Sequence, residues 1–332
     1  IGIVGLGRLG ARHARNLHGR VPGAQLLAAC SVKESELAWG RDELGVPATF
    51  TSFHEMLASV ELDAVFLVSA SAVHAEQTTA ALEAGLHVFC EKPMGVSLDE
   101  CRSIQAAVAA HPDLHYQLGL VRRFDPSYMD ARKKIDQGLI GEPFLVRSQT
   151  VDLDEYAEFQ IGFVPTSGGI FMDANAHDID LARWYLGDEV KSVYAIGGSY
   201  SHPGFSEVND ADNTVALLRF HSGKMAVISA GRTAFHGHDT HTEITGTKGT
   251  LKIGITPAKN RVEVFDSHGA RVECVNDFYE RFEEAFVNEA RSFVHGILNG
   301  SKPTILPADG TRITEIGMAM TRSFREGQVA EL

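Results

Sequence analysis

Cysteine is scarce in this chain. Cys30, Cys90, Cys101 and Cys274 are the four among 332 residues, with no CxxC pair and no metal-ligand spacing. That excludes a disulfide-stapled fold and a cysteine zinc site. Cys30 and Cys90 stand in apolar, strand-like runs, where a thiol behaves as a small hydrophobe. Reduced, buried cysteines point to a cytoplasmic protein. No stretch reaches the roughly 18 consecutive apolar residues of a membrane span, so no membrane partner is expected. Positive charge is also short. Thirty Lys and Arg against 43 Asp and Glu leave a net charge of −13, which repels a phosphate backbone or an anionic bilayer on average. Nucleic acid is therefore not an expected partner. No signal peptide, internal repeat or low-complexity segment is visible. The chain opens inside an apolar strand at Ile1, which implies that a few residues, an initiator Met among them, precede it.

What is present is an ordinary globular composition, 44% hydrophobic and 22% charged, in a length that suits two domains better than one core. Up to residue 120, short apolar runs alternate with amphipathic patterns. Strands are predicted over 1–5, 25–30, 64–68, 86–90 and 116–120, with helices over 9–17, 34–44, 72–84 and 98–109. Apolar strands separated by helices predict a parallel sheet covered on both faces. After Phe124 the pattern changes. A helix over 129–137 leads into an alternating strand over 144–150, and the Gly168-Gly169 turn precedes one long helix ending near Gly187. Strands then follow without helices between them, over 190–196, 212–220, 224–233, 241–246, 251–255 and 262–265. Turns at His221-Ser222-Gly223 and Thr247-Lys248-Gly249 suit hairpins. Two helices, 279–298 and 308–326, close the chain. The fold class is α/β. A doubly wound parallel sheet occupies 1–120. An α+β domain occupies 121–332, with an open, mostly antiparallel sheet and a last helix able to pack back on the first domain.

Gly5-Leu6-Gly7-Arg8-Leu9-Gly10 fits GxGxxG between a strand and a helix. The first glycine allows a tight turn, the second lets backbone approach a pyrophosphate, and the third lets helix and strand pack closely. The six-residue pattern alone is weak. At the head of a βαβ unit it marks a Rossmann dinucleotide site. Specificity is set at the end of the second strand, where Ser31 stands, with Lys33 two residues later, in place of an acid. Ser plus Lys could accept a 2′-phosphate, and an ordinary solvated lysine is the equal alternative. The cofactor is therefore NAD or NADP. Its contacts are expected from Gly5, Gly7, Arg8, Leu9, Gly10, Ser31, Lys33, Ser69, His74, Glu91 and Lys92.

Lys92 leaves the C-terminal end of a predicted parallel strand in Phe89-Cys90-Glu91-Lys92-Pro93, aimed at the crevice where such sheets bind ligands. Asp173 and His177, four residues apart, would share one helix face. The imidazole titrates near neutral pH, and a carboxylate one turn away can orient it and raise its basicity. A helix-surface ion pair is the plain alternative. Asp178 and Asp180 read as solvated neighbours, with Ile179, Ala182 and Trp184 packing inward.

Taken together, these segments resemble the family of glucose–fructose oxidoreductases and inositol dehydrogenases (Gfo/Idh/MocA), over essentially the whole chain. The likeness runs from Ile3–Gly10 with Arg12-His13-Ala14-Arg15, through Val88–Pro93 and Arg122-Arg123-Phe124-Asp125, to the Asp173/His177 segment and Glu280-Arg281-Phe282. It is nearest to the myo-inositol 2-dehydrogenases of that family. The resemblance implies a catalytic group of Lys92, Asp173 and His177 and a cis peptide between Lys92 and Pro93. It also implies hydride transfer from a secondary hydroxyl of a cyclic polyol or sugar, with no metal, because the ammonium does the polarising. It further implies a homodimer or homotetramer paired through the open sheet. Within the same family stand a scyllo-inositol or sugar dehydrogenase, an NAD-dependent glycosidase and a non-catalytic dinucleotide sensor.

Other candidates are less specific. Arg123, Asp152, His177, His236 and His238 are substrate contacts on this reading, and Tyr156, Tyr279 and Arg281 lie in segments that can approach the site. The run from His236 to His241 looks like a metal cluster by composition, but its spacing supports no tetrahedral site.

Overall fold

The computed structural model describes residues 1–332, which divide into two units: Ile1–Phe124 with Glu284–Thr314, and Asp125–Glu283 with Glu315–Leu332. At the centre of the first lie short runs of Val, Ile, Ala and Phe. They form strands β1 (Gly2–Val4), β2 (Ala28–Cys30), β3 (Ala48–Phe50), β4 (Ala64–Leu67), β5 (His87–Glu91) and β6 (Tyr116–Gly119). All pair in parallel, in the order β3-β2-β1-β4-β5-β6. Helices α1 (Arg8–Gly19), α2 (Glu34–Leu44), α3 (Phe53–Ser59), α4 (His74–Glu83) and α5 (Leu98–Ala110) make the crossovers. β3 and α3 are additions to the sequence reading. β3 is three residues long and only half-buried, so it carries no apolar signal, while α3 announces itself by its Ser52 cap. Phe66 and Phe89 stack with ring centroids 4.4 Å apart, and Phe293 meets Phe66 edge-on at 5.2 Å. Each such buried ring contributes about 1.5–3 kcal/mol.

The order of strands reverses between β1 and β4, the switch point at which parallel sheets bind ligands. The glycine turn after β1, the Ser69 loop after β4 and Lys92 after β5 all leave the carboxyl ends of strands.

In the second unit, α6 (Pro126–Asp136) precedes the long strand β7 (Pro143–Leu153). Asp125 caps α6, its carboxylate accepting from the amides of Ser127 and Tyr128, with Pro126 in the first turn. The single helix expected between the Gly168-Gly169 turn and Gly187 is instead two, α8 (Ile170–Asp173) and α9 (Ala176–Leu186), and a further helix that the sequence reading lacked, α7 (Ala157–Ser167), precedes the turn. Gly168 and Gly169, at φ of +82° and +86°, end α7 as the turn requires. Between α8 and α9, the Asn175 amide reaches back five residues to the Ile170 carbonyl, a widened turn that interrupts the ladder.

Strands β8 (Val190–Gly198), β9 (Asn213–Phe220), β10 (Met225–Ala234), β11 (Asp239–Gly246) and β12 (Gly249–Ile253) complete most of the sheet, with the short helix α10 (Gly204–Glu207) before β9. The last predicted strand is the first arm of a separate hairpin, β13 (Ala258–Asp266) and β14 (Gly269–Cys274). Helices α11 (Phe278–Asn299) and α12 (Pro307–Glu326) follow, then β15 (Ala330–Glu331). The large sheet runs β12-β11-β7-β10-β9-β8-β15 and is antiparallel except between β7 and β10. Alternate residues of β9 and β11 are buried, as one covered face requires. No helix is long and apolar enough to cross a membrane.

Candidate active site

The glycine turn has the shape the motif needs. Gly5 lies at φ +88°, and a Cβ there would stand 2.4 Å from the Val68 carbonyl oxygen. One on Gly10 would stand 2.0 Å from the Gly5 oxygen, so helix and strand meet there only because no side chain intervenes. A Cβ on Gly7 would meet nothing within 4 Å. That open surface, at the start of an α1 with no capping side chain and no acid in its first turn, fits the pyrophosphate of a dinucleotide. Arg8 and Leu9 supply the first helical residues behind it.

At the end of β2 the structure adds an acid that the motif reading left out. The Ser31 hydroxyl donates to Glu36 Oε2 at 2.6 Å, and Lys33 Nζ lies 3.3 Å from Glu36 Oε1. The carboxylate missing from the strand thus arrives from the first turn of α2. Both residues taken as acceptors of a 2′-phosphate are engaged by a negative charge.

The Ser69 hydroxyl donates to Gln77 at 2.6 Å. Both ring nitrogens of His74 face carbonyl oxygens, Nδ1 that of Pro93 at 2.8 Å and Nε2 that of Ser69 at 3.2 Å. A carbonyl only accepts, so the doubly protonated ring satisfies both. Burial opposes that charge, but the Cys90 sulfur and the two carbonyls raise the His74 pKa to about 9. His74 thereby ties the loop after β4 to the Lys92 loop, whose Lys92–Pro93 peptide is cis. The Glu91 carboxylate turns inward, buried, and accepts from its neighbour's amide, Lys92 N–H, at 3.0 Å. Arg123 pairs with Asp309 at 3.7 Å.

In the second unit, Asp173 ends α8 and His177 opens α9, so the expected shared helix is interrupted between them. Their common face survives, because Ala174 and Asn175 keep helical dihedrals across the junction. From Gly169 through Arg183 every residue is buried except Asp173 and His177. An acid and a base at a spacing of four are the accessible groups on an otherwise covered segment.

Asp178 and Asp180 are not solvated; both are buried. Asp178 accepts from Ser148 Oγ at 2.6 Å, Thr150 Oγ1 at 2.8 Å and Asn175 Nδ2 at 3.0 Å. The carboxylate pins the start of α9 to β7 and so sets where His177 points. Asp210 fixes the turn before α8, accepting from the Ile170 amide, with the buried Arg232 3.6 Å away. Burial raises the Asp210 pKa, while Arg232 opposes the rise.

The histidine run does not gather on one point. His238 is buried, with Nδ1 3.1 Å from Asp152 and Nε2 2.6 Å from the Thr240 hydroxyl. Gln160 donates to the other Asp152 oxygen at 3.0 Å. With both nitrogens of His238 engaged, its contribution is the placement of Asp152. His236 and His241 both turn to Asp239, at 3.6 and 3.1 Å. Arg281, at the start of α11, is bound to Asp125 at 2.9 Å.

Known proteins share this architecture. Residues 1–119 match the oxidoreductase family with an NAD-binding Rossmann fold, and residues 128–252 match the GFO/IDH/MocA C-terminal domain. The scyllo-inositol 2-dehydrogenase (NAD(+)) of Bacillus subtilis is 35% identical over 99% of this chain and 95% of its own. The myo-inositol 2-dehydrogenase of Thermotoga maritima is 32% identical over 100% of this chain and 98% of its own. A crystal structure of scyllo-inositol dehydrogenase from Lactobacillus casei, with bound NAD(H) and scyllo-inositol, superposes with a TM-score of 0.97. It is 40% identical and covers 99% of this chain and 98% of that one. The chain belongs to the Gfo/Idh/MocA family of NAD-binding oxidoreductases.

Proposed function

We propose that this protein is an NAD-dependent inositol 2-dehydrogenase, converting myo-inositol reversibly to its 2-keto form. The observation that carries the reading is the burial pattern of residues 169–183, which leaves Asp173 and His177 as the accessible acid and base. Bound NAD supplies the hydride acceptor. His177 takes the proton of the hydroxyl being oxidised, and Asp173 orients the imidazole. The Lys92 ammonium stabilises negative charge developing on that oxygen, so the reaction needs no metal. Asp152, held by His238 and Gln160, is the polyol contact we favour in the second unit.

Scyllo-inositol is the second reading, favoured by the likeness to enzymes named for it. The two isomers differ only at the carbon that is oxidised and give the same ketone. Choosing between them means choosing an axial or an equatorial hydroxyl. We infer further that the chain is a cytoplasmic homodimer or homotetramer. Its four cysteines are free, and Tyr194, Ile196, Val215, Leu217 and Met225 form an exposed apolar face across β8, β9 and β10.

The test is absorbance of reduced nicotinamide with NAD or NADP over a panel of inositol isomers, monosaccharides and levoglucosan. Stoichiometric NADH with myo- or scyllo-inositol is expected. Hydrolysis with no net change in absorbance would instead identify a glycosidase. Cofactor binding without turnover of any polyol would identify a sensor.

A further inference from the structure

Behind Lys92 lies a group of side chains that the reaction above does not use. His13 from α1, Glu91 from β5 and Glu289 from α11, all in the first unit, place one nitrogen or oxygen each within 4.8 Å of one another, and all three are buried. His13 Nε2 stands 2.8 Å from Glu91 Oε1, and Glu91 Oε2 accepts the Lys92 amide at 3.0 Å. Gly119 on β6 leaves the room this needs, since a Cβ there would come within 2.9 Å of Glu91 Oε2. Neither carboxylate oxygen of Glu289 has a donor, and the residue is 0% exposed.

The walls are apolar. The rings of Phe66, Phe89 and Phe286 flank His13 at 5.8, 5.3 and 5.5 Å. Two ionised carboxylates cannot share such a box. His13 turns its Nε2 to Glu91, and its Nδ1 is buried without a partner. A metal ion would find three protein ligand atoms, one of them on an imidazole flanked by phenyl rings, one short of a closed tetrahedral set. A proton fits. Burial, reinforced by the Glu91 charge, pushes the Glu289 carboxyl well above the usual range. The titratable groups facing it are His13 from α1 and Glu91 from β5. The Gln117 side-chain amide on β6 donates to the Glu289 backbone carbonyl at 3.1 Å, and His115, one residue before β6, stands beside Phe293.

We propose that Glu289 is a neutral acid whose proton is directed to the Glu91 carboxylate, and that with His13 it positions Lys92 through Glu91. Glu91 then carries the one negative charge of the group and gathers donors from three elements: the imidazole on α1, the acid on α11 and the amide that begins the Lys92 loop. Glu289 and His13 are positioning residues. The proposal rests on the catalytic reading of Lys92, and Lys92→Ala measured in parallel separates the two.

The full chain is tested as Glu289→Gln and Glu289→Leu. The amide of Glu289→Gln is neutral and still donates. It is expected to hold kcat within about threefold of the native value, with a superimposable pH profile. A protonated buried acid loses stability as pH rises above its unfolded value, because only the unfolded chain releases the proton. The Tm advantage of Glu289→Gln should therefore widen from about pH 5 to about pH 8. Glu289→Leu removes the donor and is expected to lower kcat by about tenfold or more while the Kd for NADH stays near native. If Glu289→Leu does not fold, Glu289→Asp, which withdraws the acid by one methylene, should show the same loss. A Tm gap that does not change with pH would overturn the proposal. So would equal kcat in the Leu and Gln variants, or stoichiometric metal in the native protein that Glu289→Gln lacks. If Lys92→Ala turns over normally, the catalytic reading fails instead, and the Tm gap still decides whether Glu289 is neutral.

Discussion

The two units solve one problem, holding a polar group at a working surface, in different ways. In the first, backbone does most of it. Gly5 and Gly10 set the turn through their missing side chains, and Lys92 follows directly from the end of β5. In the second, buried side chains do it. Asp178 gathers three donors beneath α9, and Asp210 meets the amide that opens α8. A site built on strand ends is written in adjacent residues. One built on buried carboxylates is assembled from positions far apart in the chain, and is more sensitive to a single deletion.

That contrast can be broken at Asp178. Asp178→Ala removes the acceptor that Ser148, Thr150 and Asn175 share, and each buried donor left unsatisfied costs about 1–3 kcal/mol. Tm should fall by roughly 5–10 °C and turnover should collapse. NADH binding, which belongs to the first unit, should persist in the folded fraction. If calorimetry shows Tm within about 1 °C of native, the carboxylate is not the pin assigned to it. Lys92→Ala should do the reverse. Its side chain is only half-buried, so Tm should fall less than in Asp178→Ala, while kcat drops by about 10²-fold or more. Steady-state rates near native would remove Lys92 from the mechanism.

The same contrast explains what could be read from the sequence. The parallel sheet was legible because its strands are apolar runs, and the glycine turn because Gly5 and Gly10 stand where a side chain would clash. Asp173 and His177 were legible as a spacing, although the helix joining them was not. Its break depends on the Asn175 amide reaching Ile170, and Asn175 turning its side chain to Asp178, neither of which has a local signature. Asp178 and Asp180 were misread as solvated for a related reason. Their polarity says surface, and only the hydroxyls of Ser148 and Thr150, on a distant strand, make burial of Asp178 tolerable. The inward turn of Glu91 was hidden likewise, since Glu289 lies 198 positions later (289 − 91).

The smallest expected effect sharpens the comparison within the first unit itself, where the sequence reading passed over one acid. Glu36 sits in the first turn of α2, where an acid favours the helix dipole, so the sequence offers a structural reason for it that conceals a second. Its carboxylate accepts from Ser31 and pairs with Lys33. At the end of β2 a carboxylate accepts from ribose hydroxyls and repels a 2′-phosphate. Glu36→Gln removes the repulsion and releases Lys33. It should therefore shift the NAD-to-NADP ratio of kcat/KM by about tenfold toward NADP, equivalent to about 1.4 kcal/mol. Ser31→Asp should move the ratio the other way by less, because the native surface already carries one negative charge. An unchanged ratio in Glu36→Gln would mean that the side chain serves only the dipole of α2, and that the selector for the cofactor lies elsewhere on the strand ends.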